Sequence, residues 1–506
     1  MKSISGEYLK LLFGLKLKQV RQDKKLSLKN ISEKTHLSVS YLSEIESGKK
    51  YPKPEKLITL SQALEIPFDE LVSMNVGKTL NPLMELLESP LIREFPFQMF
   101  GINIRNLIDL ATNSPHKSGA LVRTLSEFMR SYDMRVEHFL FAALRSYQKY
   151  HKNYFEDIEK EVVSFQKSCG LSSSPPISYD ELKKVAKSLG CEIDIDSLSN
   201  YPELLSLRSV FVEGDPDKLL INPKLLPSQK AFIIGREIGY RVLKLKNRPK
   251  TSSWIKIESF DQILDNFKAS YFSGALHISQ KDLVKDLQKF FSQKTWKPDH
   301  LLEIMHKYQV TPEMFLYRLS QIIPKHFGID EIYYLRFSTS DEPDRYHLTK
   351  ELNMSPLGMP SGINLREHYC RRWLAISQLK DTGCGKSSHK PSEKKPNIPI
   401  IDAQRSRFID QGLDIFNIST VRPLILNNQV FSSMTIGFVI TDKFKKTVKF
   451  WNDSSILDAE VNETCERCCL KEEHCSERAS ESKIYAKKEK IKTREIHLNQ
   501  LFDDFT

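Results

Sequence analysis

The segment from about Leu12 to Val72 constrains this chain more than any other, because its pattern admits only short helices joined by tight turns. Leu15, Leu17, Val20 and Arg21 follow helical spacing. Ser27 is placed to cap a helix that begins Leu28-Lys29-Asn30-Ile31. Ser38 is placed to cap a second one, which sends Leu42 and Ile45 inward and stops at Gly48. Only His36-Leu37 separates the two. This spacing predicts a helix-turn-helix, in which the second helix enters a DNA major groove while the first braces it across the backbone. The outer face of the second helix carries Ser40, Tyr41, Ser43 and Glu44, polar side chains that can approach base edges.

Helix-turn-helix geometry also occurs in proteins that never touch nucleic acid, so charge has to decide. Thirteen Lys/Arg against six Asp/Glu in the first sixty residues carry +7 of the chain's +11. Lys49, Lys50 and Lys53 follow the reading helix, where a phosphate would lie. The expected contacts with a double-stranded operator are therefore Ser27, Ser38, Ser40, Tyr41, Ser43 and Glu44, with Lys49 and Lys50 on phosphate. The segment resembles the XRE (lambda-repressor-like) DNA-binding domain in Lys18-x-x-Arg21, Leu26-Ser27, Tyr41-x-x-x-Ile45-Glu46-x-Gly48-Lys49, Pro54-x-x-Leu57 and Ala63-Leu64. It departs at Leu28, where that family usually has a phosphate-contacting Gln, and at His36, where it usually has a turn Gly.

At 506 residues the chain is too long for one core, and the expectation is an α+β multidomain protein. No window offers the roughly 20 uncharged apolar residues of a membrane span. Leu11-Leu12-Phe13 is interrupted by Lys10, Lys16 and Lys18, and no small-residue cleavage site follows. A cytoplasmic protein with no membrane partner is expected. Residues 8–75 form the helix-turn-helix domain. Residues 80–168, with apolar residues at helical spacing such as Leu121, Leu125 and Phe128, read as a helical connector that contributes to a homodimer.

The linker Cys169–Pro176 opens a third domain, residues 177–328. There a helix from Tyr179 leads to a strand at Cys191–Ile195, a hairpin across Gly214-Asp215-Pro216, and a helix over Ser228–Lys246. The order resembles the ImmA/IrrE metallopeptidase-like domain. That family's central helix carries His-Glu-x-x-His, two imidazoles one turn apart on zinc with the Glu as general base. The matching positions here are Arg236-Glu237-Ile238-Gly239-Tyr240, so both ligands are replaced and a permanent cation stands where a divalent metal would be. Glu237 survives, and beside Arg236 it reads as an ion-pair partner rather than a base. Near it only Asp265 and His277 offer a third ligand. The domain reads as a degenerate zincin-like scaffold without catalytic residues.

Beyond Gly328 the pattern turns to strands of an antiparallel sheet, at Glu331–Phe337, Ser419–Leu426, Met434–Ile440 and Thr447–Trp451. Asp381–Pro396 reads as a mobile loop and Lys483–His497 as a solvated helix. Residues 329–480 are read as a C-terminal sensor domain, and 481–506 as a basic tail. Four of the eight cysteines crowd between Cys465 and Cys475, which in a reducing compartment suggests metal binding or reactive thiols. Cys465-x-x-Cys468 lets two thiolates reach one ion from a tight turn, and Cys475 can add a third. Spacing leaves zinc and an iron–sulfur cluster both open. This order of domains, with Cys465-Glu466-Arg467-Cys468 and Cys475-x-x-Arg478-Ala479, resembles the regulators of short-chain fatty acid and acyl-CoA metabolism. Cys370 is the expected fourth ligand because its Cys370-x-x-Trp373 setting resembles a recurring feature of that family's C-terminal domain, with His474 or Cys469 as alternatives. Prolines that follow the Arg-Ala pair in that family are replaced here by Ser480-Glu481. The resemblance implies a transcriptional regulator that responds to a short-chain acyl-CoA or fatty acid effector. Competing readings are a zinc-dependent ImmA/IrrE-type peptidase and a metal or redox sensor using the C-terminal cysteines.

Overall fold

The computed structural model describes residues 6–73, 96–100, 127, 136–172, 175–252, 257, 259–340, 342, 344–359, 366–382 and 400–505. Most of the expected connector and the expected loop Asp381–Pro396 lie outside the described residues. The chain divides into two units, Met1–Ala143 and Leu144–Thr506.

In the first unit five helices follow in order: α1 (Gly6–Asp23), α2 (Leu28–Thr35), α3 (Val39–Glu46), α4 (Pro54–Leu64) and α5 (Phe68–Val72). Each start is chemically marked. Ser27 makes a reciprocal capping box with Asn30, and Ser38 accepts from the Tyr41 amide. Pro54 stands in the first turn of α4, where its missing N–H costs nothing. Phe13, Leu17, Ile31, Leu42, Ile45, Leu57, Leu60, Leu64 and Leu71 form one core. The buried amine of Lys16 donates to the carbonyl and hydroxyl of Ser73 at 3.0 and 2.8 Å and to the carbonyl of Glu70, placing a cation at the C-terminal end of α5.

The second unit begins within α6 (Val136–Tyr150) and continues through α7 (Glu156–Ser168) and α8 (Tyr179–Ser188). A small sheet of order β1-β3-β2 follows, built from β1 (Cys191–Asp194), β2 (Ser209–Val212) and β3 (Asp217–Ile221). Next come α9 (Pro227–Val242), α10 (Phe260–His277), α11 (Gln280–Phe291), α12 (Pro298–Tyr308) and α13 (Pro312–Phe327). Helix α9 lies directly on α10. A Cβ on Gly235 would fall 2.6 Å from Ser273 Oγ, and one on Gly239 would fall 3.0 Å from the Ala269 carbonyl.

The larger sheet has the order β5-β4-β8-β7-β6-β9. Its strands are β4 (Ile332–Thr339), β5 (Tyr346–Asn353), β6 (Ile400–Phe408), β7 (Leu413–Pro423), β8 (Phe431–Val439) and β9 (Leu457–Val461). One face packs residues such as Tyr334, Phe416 and Ile436 against Leu287, Phe290, Leu301, Leu319 and Ile323 of α11–α13, so a single core crosses the position 328/329. The other face packs Tyr333, Phe337 and Ile415 against Trp373, Ile376 and Leu379, on and beside α14 (Leu374–Asp381).

Two expectations are corrected here. Thr447–Trp451 is no strand: Thr441 caps α15 (Asp442–Thr447), and the buried Phe444 and Val448 follow its helical spacing. The sheet is not wholly antiparallel, because β9 pairs parallel with β6 at one edge. The chain ends in α16 (Lys483–Phe505). No helix among the described residues is long and apolar enough to cross a membrane.

Candidate functional site

The N-terminal site is built on α3. Arg21 of α1 grips Glu46 at the end of α3 with two hydrogen bonds of 2.6 and 2.9 Å and donates a third to the Leu26 carbonyl at 2.9 Å. A bidentate guanidinium–carboxylate pair fixes orientation as well as distance, so α1 sets the angle of α3. His36 takes the left-handed conformation at φ 56°, filling the turn position where glycine was expected. Leu28, which stands in place of a phosphate-contacting Gln, is half-buried against the core.

Ser38, Ser40 and Ser43 are exposed on the outer side of α3, with Tyr41 and Glu44 half-buried beside them. Lys49 is exposed and has no ion-pair partner among the described residues. Lys50 is held by Glu44 at 2.7 Å, which raises its pKa. Ser27 is exposed, and its hydroxyl is occupied in the cap of α2. Lys56 escaped the sequence reading: its Nζ lies 4.1 Å from the centre of the Tyr41 ring and steadies that side chain. No local spacing signals the contact, because α4 brings it.

In the second unit the degenerate motif is part of a salt-bridge network. Glu237 is buried and accepts from Arg241 Nε at 2.8 Å and Arg248 Nη1 at 2.9 Å. Its partners are thus Arg241, one turn on, and Arg248, rather than the adjacent Arg236, because successive helical residues do not face each other. Arg241 reaches on to Asp217 at 2.6 Å, and Tyr240 donates to Asn266 at 3.3 Å. Burial, together with the charges of Arg208 and Arg248, works against the cation on Arg236, so an added divalent ion would meet three guanidinium groups. Asp265 is taken by Asn247, and His277, fully enclosed, bonds the Ser273 carbonyl through Nδ1 at 2.8 Å.

The cysteines are assembled from two distant segments. An isolated β-bridge pairs Tyr369 with Thr464; beside it the Cys465 amide donates to the His368 carbonyl at 2.8 Å and the Cys370 amide to the Glu463 carbonyl at 3.3 Å. Glu367 and Arg467 clamp the same place bidentately at 2.7 and 2.8 Å. Cys370, Cys465, Cys468 and Cys475 are all buried, whereas Cys469 is half-buried and His474 is exposed. Burial pushes the Cys370 thiol up to about 11, and the neighbouring Cys465 and Cys468 add to the rise. Cys469 rises to about 11 through burial and Asp410. In donor chemistry the four buried thiols suit a soft or borderline metal. Among the described residues no three His, Cys, Asp or Glu side chains are gathered closely enough to hold one.

The helix-turn-helix family model matches residues 17–71, which contain all of α2–α4. Over 90 residues the chain is 32% identical to the HTH-type transcriptional activator BcrR of Enterococcus faecalis, covering 18% of this chain and 43% of that protein. Over 61 residues it is 34% identical to the HTH-type transcriptional repressor RghR of Bacillus subtilis (strain 168), covering 12% of this chain and 45% of that one. The chain thus spans less than half the length of these curated relatives. Among solved structures, a Mycobacterium tuberculosis transcriptional regulator aligns over 67% of this chain and 93% of its own, at 14% identity and a TM-score of 0.45. The fold and the family match make residues 17–71 a helix-turn-helix domain.

Proposed function

We propose that the chain is a sequence-specific transcriptional regulator that reads a double-stranded operator through α3, acts as a homodimer, and responds to a short-chain acyl-CoA or fatty acid. The observation that carries the DNA reading is the exposed serine face of α3 followed by Lys49, on a helix whose angle Arg21 and Glu46 fix. Ser38, Ser40, Tyr41, Ser43 and Glu44 face base edges, while Lys49 and Lys50 lie on phosphate. Chromatin capture tests it: bound sites should share one sequence and lie beside genes of acyl-CoA metabolism. Capture without a shared sequence would defeat the reading. A thermal-shift panel of acyl-CoAs tests the effector, since a ligand that binds only the folded form raises its melting temperature.

The peptidase reading is disfavoured by Glu237, whose carboxylate is engaged by Arg241 and Arg248. Zinc-dependent cleavage that disappears in Glu237→Gln would revive it.

A metal at Cys370, Cys465, Cys468 and Cys475 would require these thiols to draw closer together than they stand here, and the bridge at Tyr369 and Thr464, which sets Cys370 beside the Cys-x-x-Cys turn, supports that reading. Bound there, zinc or an iron–sulfur cluster would cross-link the chain's end to the large sheet and take the cysteines as thiolates. Anaerobically purified protein should contain near-stoichiometric zinc or iron, and Cys465→Ser with Cys468→Ser should lose it. Metal-free wild-type protein would count against the site.

A further inference from the structure

The register of the large sheet gathers cations at one end of one face. Arg336 of β4 stands opposite Lys350 of β5 on one side and Met434 of β8 on the other. On β7, Thr420 is opposite Met434, and Arg422 is opposite Ser432. Directly paired residues share a face, as do residues two apart on one strand, so Tyr334, Arg336, Lys350, Thr420 and Arg422 all lie on the same side. Helix α13 covers it with its first turns. There Glu313 accepts from Arg336 at 2.8 Å, and the Tyr317 ring centre lies 3.7 Å from Lys350 Nζ. Arg208, just ahead of β2, is close enough for its charge to act on Glu313, Lys350 and Arg422 alike.

Four cations therefore face Glu313, which is already committed to Arg336. Neither Lys350 nor Arg422 has an ion-pair partner among the described residues. Arg422 is 8% exposed, and its Nε lacks a hydrogen-bond partner; the hydroxyls of Tyr334 and Thr420 are buried and equally unpartnered. Folded proteins rarely leave buried donors bare, and three on one small patch, beside unpaired positive charge, call for a common acceptor. Water can satisfy the hydroxyls, but it leaves the charge uncompensated.

We propose that this end of the sheet binds a small oxyanion, a phosphate or carboxylate group, between Arg208, Lys350 and Arg422, with Tyr334 and Thr420 donating to it. The proposal rests on the effector reading above in one respect, that the second unit takes a small molecule, and it locates that molecule's anionic part. Pyrophosphate and malonate, titrated into the full-length protein at matched ionic strength with sodium chloride as control, are the probes. At least one should raise the melting temperature, and which one does separates phosphate from carboxylate. Arg422→Gln and Lys350→Met should each weaken binding at least roughly tenfold, as expected for loss of one charge-assisted contact. Lys350 is half-exposed, so its variant remains informative if Arg422→Gln fails to fold. No shift beyond the chloride control, or equal affinity in both variants, would overturn the site. Probe binding unchanged in both variants, with an acyl-CoA response retained, would discard this site and keep the effector reading; pyrophosphate binding lost in the variants, without any acyl-CoA response, would do the reverse.

Discussion

In the N-terminal unit every candidate DNA contact comes from one short stretch, residues 27–50, while in the second unit the groups that matter meet across the chain. Arg318 bonds Glu159, 159 residues away, at 2.7 and 2.9 Å, and Cys370 sits beside a turn that begins at Cys465. The two designs depend on different physics. A helix with a capped start displays its outer residues at fixed spacing whatever lies further along the chain. A site assembled from strands and distant helices exists only when register and packing are complete, so its geometry and the stability of the unit are one property.

The sharpest way to break this contrast is Arg318→Met. Arg318 is 1% exposed, and Glu159 accepts from it, bidentately, and from the Tyr271 hydroxyl at 2.7 Å. Removing the guanidinium strands a buried carboxylate, which costs about 3–5 kcal/mol. Urea unfolding of the full chain should show a loss of that size in the second unit. A loss below about 1 kcal/mol, the range of exposed pairs, would mean that the long-range pair does not anchor it.

That pair also marks what the sequence could reveal. No spacing near Arg318 or Glu159 points from one to the other, because the partner is chosen by how α7 meets α13. In contrast, the caps Ser27 and Ser38, the inward Leu42 and Ile45 and the serine face of α3 were all legible, being consequences of helical period. Cys370 was legible as a residue type beside a Cys-x-x-Cys; its approach to Cys465 depends on the bridge of Tyr369 to Thr464. Strands β5, β6 and β9 were missed. Polar residues interrupt each, so none shows a continuous apolar run. The cation cluster was missed for the same reason as Glu159: Arg208, Lys350 and Arg422 are neighbours only through the sheet.

Acid tests that cluster next. Burial alone would raise the pKa of Glu313, yet Arg336, Lys350, Arg208 and Arg422 more than reverse this and hold it at about 2, below the ordinary 4.5. A depressed carboxylate stabilises the fold fully above its unfolded-state pKa, and the contribution fades as pH falls from about 4.5 towards 2. The amount at stake is on the order of 3 kcal/mol. Urea midpoints followed through this window should drop more steeply in the wild type than in Glu313→Gln. Parallel curves would show that Glu313 is not the carboxylate that senses acid.

On the contiguous side, Tyr41→Ala should cost about 1–3 kcal/mol of discrimination between operator and random DNA if its ring or hydroxyl reads a base. Loss of the stacked Lys56 contact removes only about 0.5–1 kcal/mol from the fold. Circular dichroism should therefore stay unchanged while competition binding shows relaxed specificity. Unchanged specificity would move the reading function off Tyr41 and leave the serines of α3 to account for it.

The smallest effect separates two neighbouring lysines. Lys49 is exposed without an ion-pair partner among the described residues, so a phosphate contact there releases counterion in full and contributes about 0.9 to the slope of log affinity against log salt. Lys50 is held by Glu44 at 2.7 Å and lies 5.7 Å from the centre of the Tyr41 ring, so part of its charge is already compensated before DNA arrives. Lys49→Ala should thus flatten the salt slope by nearly one, and Lys50→Ala by less. Both should weaken operator and non-specific DNA to similar extents, because phosphate contacts carry no sequence. Filter binding across a salt series is enough to measure it. Equal slopes for the two variants would show that Glu44 releases Lys50 on binding, and a preserved slope in Lys49→Ala would place the phosphate elsewhere.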